Sequence, residues 1–307
     1  MHEQRLIKEA VTYMYTMSGE KEQEQEPSLI ERFRKSDNTM VAIARELLWV
    51  VIVVGAVALT LFLVSGTWPA VVTIESESMV PHMNVGDLVF VVAPDRFGAL
   101  QTWTSGKETG YEKFGSYGDV IIYNRNGEAG PAIPLPLLSG SAHPIIHRAM
   151  GIVQENKPVP VYVYPYRGAS TPSEYLPADS ISVENTPGGY NWTITLTNGT
   201  VILNPPPPAY GYIVLSTQIS PNPGYITKGD NNIESDQLLL SNPVQEDWIV
   251  GKALFTIPFL GLIPLNIVPI AFIVVIVLVL HEWYIRRKGS KPSKESAKKT
   301  DKNRKKK

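Results

Sequence analysis

The 307-residue chain has no cysteine, so disulfides, thiol catalysis and thiolate metal sites are excluded. If part of this chain is exported, that domain would have to be stabilised by its own hydrophobic core rather than by disulfides. Charge is also absent from two long segments, Leu47–Trp68 and Gly261–Leu280, each long enough as a helix to cross about 30 Å of hydrocarbon. Both segments are predicted transmembrane helices. A polar leader precedes the first, which indicates a permanent anchor rather than a cleaved signal peptide.

The distribution of charge predicts the topology. Residues 281–307 carry 12 Lys+Arg against 3 Asp+Glu, and Arg32, Arg34, Lys35 and Arg45 precede the first apolar segment. By the positive-inside rule both termini lie in the cytoplasm and the middle of this two-pass cell-membrane protein lies outside. The basic tail would also suit a nucleic acid, but its position beside a span favours the bilayer and anionic lipid as its partner. Two N-x-T triplets, at Asn191 and Asn198, agree with an outside location.

The middle segment is predicted to be a mainly β, antiparallel domain because short runs rich in Val, Ile, Tyr and Thr alternate with Gly, Pro and Asn. The predicted strands are Asp87–Val92, Asp119–Tyr123, Pro144–Val153, Val159–Tyr164, Trp192–Leu196, Tyr210–Ser216 and Gly224–Thr227. Leu100–Tyr117 and Gly127–His143 are predicted to be insertions or loops rather than framework. The predicted organisation is a leader (1–46), a helix (47–68), an extracytoplasmic β domain (69–260) with an inserted subdomain (155–224), a second helix (261–280) and a basic tail (281–307).

Ser78, in the string SESMVP, is a candidate nucleophile close to the first apolar segment. Ten residues link it to Trp68, so it lies within roughly 33 Å of that residue even if the link is fully extended. A serine hydroxyl needs a neighbouring base and a group that receives the developing oxyanion. If Ser76 and Ser78 lie on an extended segment, both side chains project to one side, and the Ser76 hydroxyl and the Ser78 N–H would face the oxyanion.

The order of several motifs resembles type I signal peptidase. After the anchor come S-x-S-M-x-P-x4-G-D from Ser76, PIIHR at Pro144–Arg148, TKGDNN at Thr227–Asn232 with a further acid at Asp236, and IVGKALFTIPFLG at Ile249–Gly261. The similarity is to the histidine variety, found in archaea and in the endoplasmic reticulum, and it covers about a fifth of the chain. Each motif alone is weak, whereas the ordered set is specific.

The resemblance implies a membrane-bound serine endopeptidase, of archaeal source, that cleaves signal peptides from exported preproteins after small residues. Ser78 would be the nucleophile and His147 the general base, with Asp236 as the orienting acid and Asp230 as the alternative. The implied partners are signal peptides, the lipid bilayer and the protein-export channel. The chain departs from the family pattern at Glu77, where glycine is usual, and in the long separation of PIIHR from TKGDNN.

Other interpretations stay open at this point. Lys228 is an alternative base, since Ser/Lys peptidases use a buried lysine of lowered pKa. His143 and His147 would be a metal pair only on a helix with further ligands, so no metal and no cofactor are expected. The chain could instead be a non-catalytic, glycosylated, membrane-anchored binding protein, or a Ser-based regulator that cleaves itself.

Overall fold

The computed structural model describes residues 38–128, 143–164, 172–205, 210–238 and 240–266, together with isolated positions at 8–9, 33, 36 and between 269 and 285. The predicted leader, the basic tail and most of the predicted loop Gly127–His143 lie outside the described residues. The chain divides into two compact units, Met1–Thr60 and Leu61–Lys307, and each is described by itself.

One long helix, α1 (Thr39–Ser65), contains the first predicted span. Its stretch Met40–Ser65 is long and apolar enough to cross a membrane. The helix begins before Leu47 because the Asn38 side chain accepts a hydrogen bond from Met40 N at 2.9 Å and caps its first turn. It ends before Trp68 because Gly66 takes a positive φ of 74° while its N–H bonds to Phe62 O.

A second transmembrane helix is not shown. Helix α3 (Leu262–Leu265) occupies the start of the predicted segment Gly261–Leu280, and only part of that segment lies within the described residues. The predicted two-pass topology therefore stays a prediction.

The second unit is mainly antiparallel β, as the sequence predicts, and each of the seven predicted strands overlaps an observed strand. The strands of the described residues are β1 (Val71–Thr73), β2 (Leu88–Val92), β3 (Glu112–Lys113), β4 (Ser116–Tyr117), β5 (Val120–Tyr123), β6 (Ile145–Val153), β7 (Pro158–Val163), β8 (Glu174–Thr186), β9 (Gly189–Leu196), β10 (Val201–Leu203), β11 (Tyr210–Ile219), β12 (Gly224–Lys228) and β13 (Ile249–Ile257).

The first sheet contains six strands in the order β1, β2, β13, β5, β6, β12, all paired antiparallel. Strand β5 is buried on both faces. Val120 and Ile122 join the apolar cluster beneath the sheet, whereas Ile121 and Tyr123 join the cluster on the opposite face. This follows from the two-residue alternation of side chains along a strand.

The second sheet contains five strands in the order β10, β9, β8, β11, β7, all from within residues 155–224. One of its pairs, β8 with β11, is parallel, which departs from the antiparallel prediction. The two sheets share a core, since Tyr162 of β7 packs with Met150 of β6 and Ile226 of β12. The 155–224 segment is thus continuous with the rest of the domain.

The prediction of a loop over Leu100–Tyr117 is wrong. Helix α2 (Trp103–Thr109) and the hairpin β3–β4 occupy this segment. The Thr102 side chain caps the helix by accepting from Ser105 N at 3.2 Å. Trp103, only 3% exposed, packs edge-on against Tyr117 and Tyr175. Tertiary burial of this one aromatic side chain outweighs a local composition that is poor in apolar residues.

Candidate functional site

Ser78 lies in a single 3-10 turn, Glu77–Met79, which we call the serine turn. Met79 and Met83 are fully buried beneath the first sheet and fix the turn to the core, while Ser78 itself is half-buried. The apolar side chain next to the serine therefore holds the backbone, and the hydroxyl stays at the surface of the domain.

The prediction that Ser76 and Ser78 share one extended segment is wrong in its geometry. Ser76 is extended, with φ −131° and ψ 164°, but Ser78 is in the helical turn that follows. The two hydroxyl oxygens are nevertheless 3.1 Å apart and hydrogen-bonded. The turn brings them together because a tight helical step folds Ser78 back toward the residue before the turn.

Glu77, where the resemblance would favour glycine, does not disturb this turn. Its side chain is exposed, and its carbonyl accepts a hydrogen bond from Asn231 Nδ2 at 3.1 Å. The turn residue does not have a positive φ. A glycine is therefore not required by the backbone at this position.

His147 of β6 is buried and its Nδ1 lies 2.6 Å from Asp236 Oδ2. Because a carboxylate oxygen accepts hydrogen bonds, Nδ1 is the donor in this contact, and in the neutral form of the imidazole the lone pair is then on Nε2. This is the tautomer that a general base requires. Of the two candidate acids, the structure places Asp236 against the imidazole.

The Asp236 carboxylate is fixed by two further donors. Thr227 Oγ1 donates to the same oxygen at 2.7 Å and Tyr123 OH donates to it at 3.1 Å. Gln237 in turn holds Thr227, accepting from its N–H and donating to its hydroxyl, each at 3.0 Å. Burial and then the negative charge of Asp236 raise the pKa of Tyr123, so its phenol stays protonated and remains a donor.

Asp230, the alternative acid, pairs with Arg148 instead. Its two oxygens accept from Arg148 Nε at 2.8 Å and Nη2 at 2.6 Å, a bidentate ion pair in which both side chains are buried. Burial alone would raise the pKa of the Asp230 carboxyl, but the charge and hydrogen bonds of Arg148 outweigh it and hold that pKa well below its usual range.

Asp230 also reaches the segment of the nucleophile. His82 Nδ1 lies 2.8 Å from Asp230 Oδ2, and His82 N donates to Met79 O at 3.0 Å. Gly115 lies directly under the imidazole, since a Cβ atom there would approach His82 Cδ2 to 2.7 Å. His82 therefore links the end of the serine turn to the buried ion pair.

The loop Gly229–Asn231 holds the other side of the serine turn. Asn231 N donates to Ser78 O at 2.8 Å, and a Cβ atom at Gly229 would lie 2.7 Å from the same oxygen. This close approach requires glycine at position 229. The serine turn also packs against β6, the strand that carries His147.

Lys228, the alternative base, is buried and directed elsewhere. Its Nζ lies 3.6 Å from the centre of the Tyr164 ring and donates to Gly229 O at 3.0 Å. Burial lowers its pKa to about 7, a value that a general base would need. Its contacts, however, are with the ring and the carbonyl rather than with a serine hydroxyl.

The structure thus joins His147 to Asp236 and Ser76 to Ser78, and it packs the serine turn against the histidine strand. Among the described residues, the Ser78 hydroxyl is hydrogen-bonded to Ser76 rather than to the imidazole. His143 Nδ1 contacts the exposed Glu75 at 3.1 Å, whereas His147 is buried against Asp236. No protein-family model matches the chain, and no curated protein matches it.

Sequence reasoning missed several residues that contact the candidate acids. These are Tyr123 and Thr227 beside Asp236, and His82 and Arg148 beside Asp230. Arg148 and Thr227 could have been identified from the sequence, because they lie inside the motifs PIIHR and TKGDNN. Tyr123 and His82 carry no comparable signal, since each is brought to its acid by a contact more than 100 residues away along the chain.

Proposed function

We propose that the chain is a membrane-anchored serine endopeptidase that removes signal peptides from exported preproteins. The observation that carries the proposal is the 2.6 Å contact of His147 Nδ1 with Asp236 Oδ2, on a strand against which the serine turn packs. His147 and Asp236, which are distant in sequence, form the base-and-acid pair that serine hydrolysis requires, and we propose that Ser78 completes it. The order of the motifs and the apolar helix α1 supply the substrate class.

In the proposed reaction, Ser78 Oγ leaves its hydrogen bond with Ser76, transfers its proton to His147 Nε2 and attacks the carbonyl carbon before the scissile bond. Asp236 stabilises the imidazolium that forms. His147 then gives the proton to the leaving amine, and water attacks the acyl-enzyme with the same imidazole as base. The Ser76 hydroxyl and the Ser78 N–H would receive the oxyanion.

A signal peptide would reach Ser78 from the membrane. The apolar helix of a signal peptide stays in the bilayer, and the short link between the predicted span and Ser78 keeps the nucleophile near its surface. The segment before the cut binds in an extended form by pairing with a strand edge. Shallow pockets that admit only small side chains would select the residues at the first and third positions before the cut.

Replacement of Ser78 by alanine tests the enzyme. The purified full chain, in detergent or in vesicles, is incubated with a preprotein, and the new N-terminus of the product is sequenced. We expect S78A to lose cleavage by at least about 10³-fold, since removal of a triad member leaves only residual catalysis. Ser182→Ala, at an exposed serine of β8, is the matched control and should cleave normally. Equal cleavage by S78A would refute the assignment.

A further inference from the structure

We propose that Asn198 is N-glycosylated and that its glycan shields the exposed edge of the second sheet. The inference rests on the proposed function in one respect, namely that the β domain lies outside the cytoplasm. It goes beyond that function because it assigns a modification site, and a role for it, to a part of the domain that cleavage does not use.

Asn198 lies at the tip of the hairpin that joins β9 to β10. Residues 197–200 are all exposed. Asn198 Oδ1 accepts from Thr200 N at 2.9 Å, and Gly199, with a φ of 82°, donates its N–H to Leu196 O at 2.9 Å. This turn presents Asn-Gly-Thr on a short projecting loop, where an enzyme can bind the acceptor triplet without opening a strand.

Asn191, in the other N-x-T triplet, is held differently. It lies within β9, opposite Glu184 of β8, and its Oδ1 accepts from Asn204 Nδ2 at 3.2 Å. To bind this triplet a glycosylating enzyme would have to separate β9 from β8, because residues 191–193 are all paired with that strand. The two triplets are equivalent in sequence, and the geometry selects Asn198.

The modification is a group transfer from a lipid-linked sugar phosphate. Asn198 Nδ2 forms a bond to the anomeric carbon of the donor sugar and releases one proton to solvent. The bond from that carbon to the phosphate oxygen breaks, and the lipid phosphate leaves with the electron pair. The product is a neutral N-linked amide that keeps the Oδ1 acceptor used in the turn.

The position of the triplet gives the glycan a physical role. Strand β10 is the edge of the second sheet and begins one residue after Thr200. Its Val201 is 57% exposed and its Leu203 is 68% exposed. An exposed apolar edge strand is a template for pairing with another chain. A bulky hydrophilic glycan at Asn198 would cover this edge.

The test uses the full chain isolated from membranes of the cells that make it. Chymotryptic cleavage after Trp192 separates the two triplets, so the mass of each peptide reports its own site. We expect the Asn198 peptide to carry one oligosaccharide and the Asn191 peptide to keep its sequence mass. T200A should abolish the added mass and T200S should retain it. T200A should also aggregate more readily than T200S, while both cleave preproteins normally.

A single-cysteine reporter separates failure of the inference from failure of the proposed topology. The chain has no cysteine, so Thr217→Cys, at an exposed position of β11, provides a unique label for a membrane-impermeant thiol reagent on intact cells. Labelling together with an unmodified Asn198 peptide would overturn the glycosylation alone. Absence of labelling would overturn the outside location itself. A glycan on Asn191 instead of Asn198 would overturn the geometric selection.

Discussion

Replacement of Lys228 by methionine should stabilise the domain at neutral pH and destabilise it in strongly alkaline solution. Burial lowers the pKa of Lys228 from 10.5 to about 7 in the folded chain. Between these two values the unfolded chain binds more protons than the folded chain, so the contribution of this group to stability rises with pH. Below about pH 7 the lysine is charged in both states, and the full penalty of burying the charge is present.

The size of the effect follows from the same two values. The interval from 10.5 to about 7 corresponds to about 5 kcal/mol at about 1.4 kcal/mol per pH unit, and nearly all of it is still present at pH 7. Methionine removes this penalty but leaves Gly229 O without the Lys228 donor and the Tyr164 ring without its cation, which together cost about 3 kcal/mol. We therefore expect K228M to be more stable than the natural chain by about 2 kcal/mol at pH 7. In a domain of this size that difference raises Tm by about 4–8 °C.

Thermal unfolding of the full chain in detergent, followed by circular dichroism at one scan rate, measures this difference. The advantage of K228M should shrink steadily above pH 7 and reverse by about pH 9. Lys157→Met, at an exposed lysine, is the matched control and should show no such pH-dependent difference. Parallel Tm curves for K228M and the natural chain across this range would refute the buried, low-pKa lysine.

Three further results are expected. K228M should cleave preproteins within about tenfold of the natural rate, whereas loss of a true general base costs about 10²–10⁴-fold. D236N should lower kcat by about 10⁴-fold, because an amide holds His147 but cannot stabilise its charged form. D230N should instead lower the free energy of unfolding by about 3–5 kcal/mol. Measurements of kcat and Tm for both variants separate these outcomes, and an equal loss of kcat would contradict the different roles proposed for the two acids. His82→Asn keeps a donor for Asp230 and should retain kcat, whereas His82→Leu should lower kcat with KM unchanged.

The sequence predicts three strongly patterned strands of the first sheet, but it does not predict β13, which is also rich in branched apolar residues. Strands β2, β5 and β6 are rich in branched apolar residues and are bounded by turn residues, so they are found within a residue or two of their observed limits. Strand β8 was missed because most of its side chains are exposed or half-exposed and its sequence, EYLPADSISVENT, is largely polar. Its parallel pairing with β11 could not be predicted, since no local pattern encodes the direction of a neighbouring strand.

Short local motifs identify several residues of the candidate site, but the contacts of these residues depend on distant parts of the chain. The sequence supplies Ser78, His147 and two aspartates, because each lies in a short motif. It favours Asp236 over Asp230 only through the family resemblance, since both are acids in one polar segment after β12. The contacts of Tyr123 and His82 depend on strand register and on packing of the serine turn, and neither is encoded near the residue itself.

The alternation of side chains along β6 explains why the two acids have different partners. His147 and Arg148 are consecutive on one strand, so their side chains leave opposite faces of the first sheet. His147 meets Asp236 on the face that also holds Tyr123, and Arg148 meets Asp230 on the other face. The Asp230 carboxylate already compensates the positive charge of the fully buried Arg148 guanidinium. Asp236 is surrounded by neutral donors, so its negative charge can stabilise a protonated imidazole. The division of the two acids between the two faces is therefore the physical basis for our proposal that Asp236 orients the imidazole, while Asp230 pairs with Arg148.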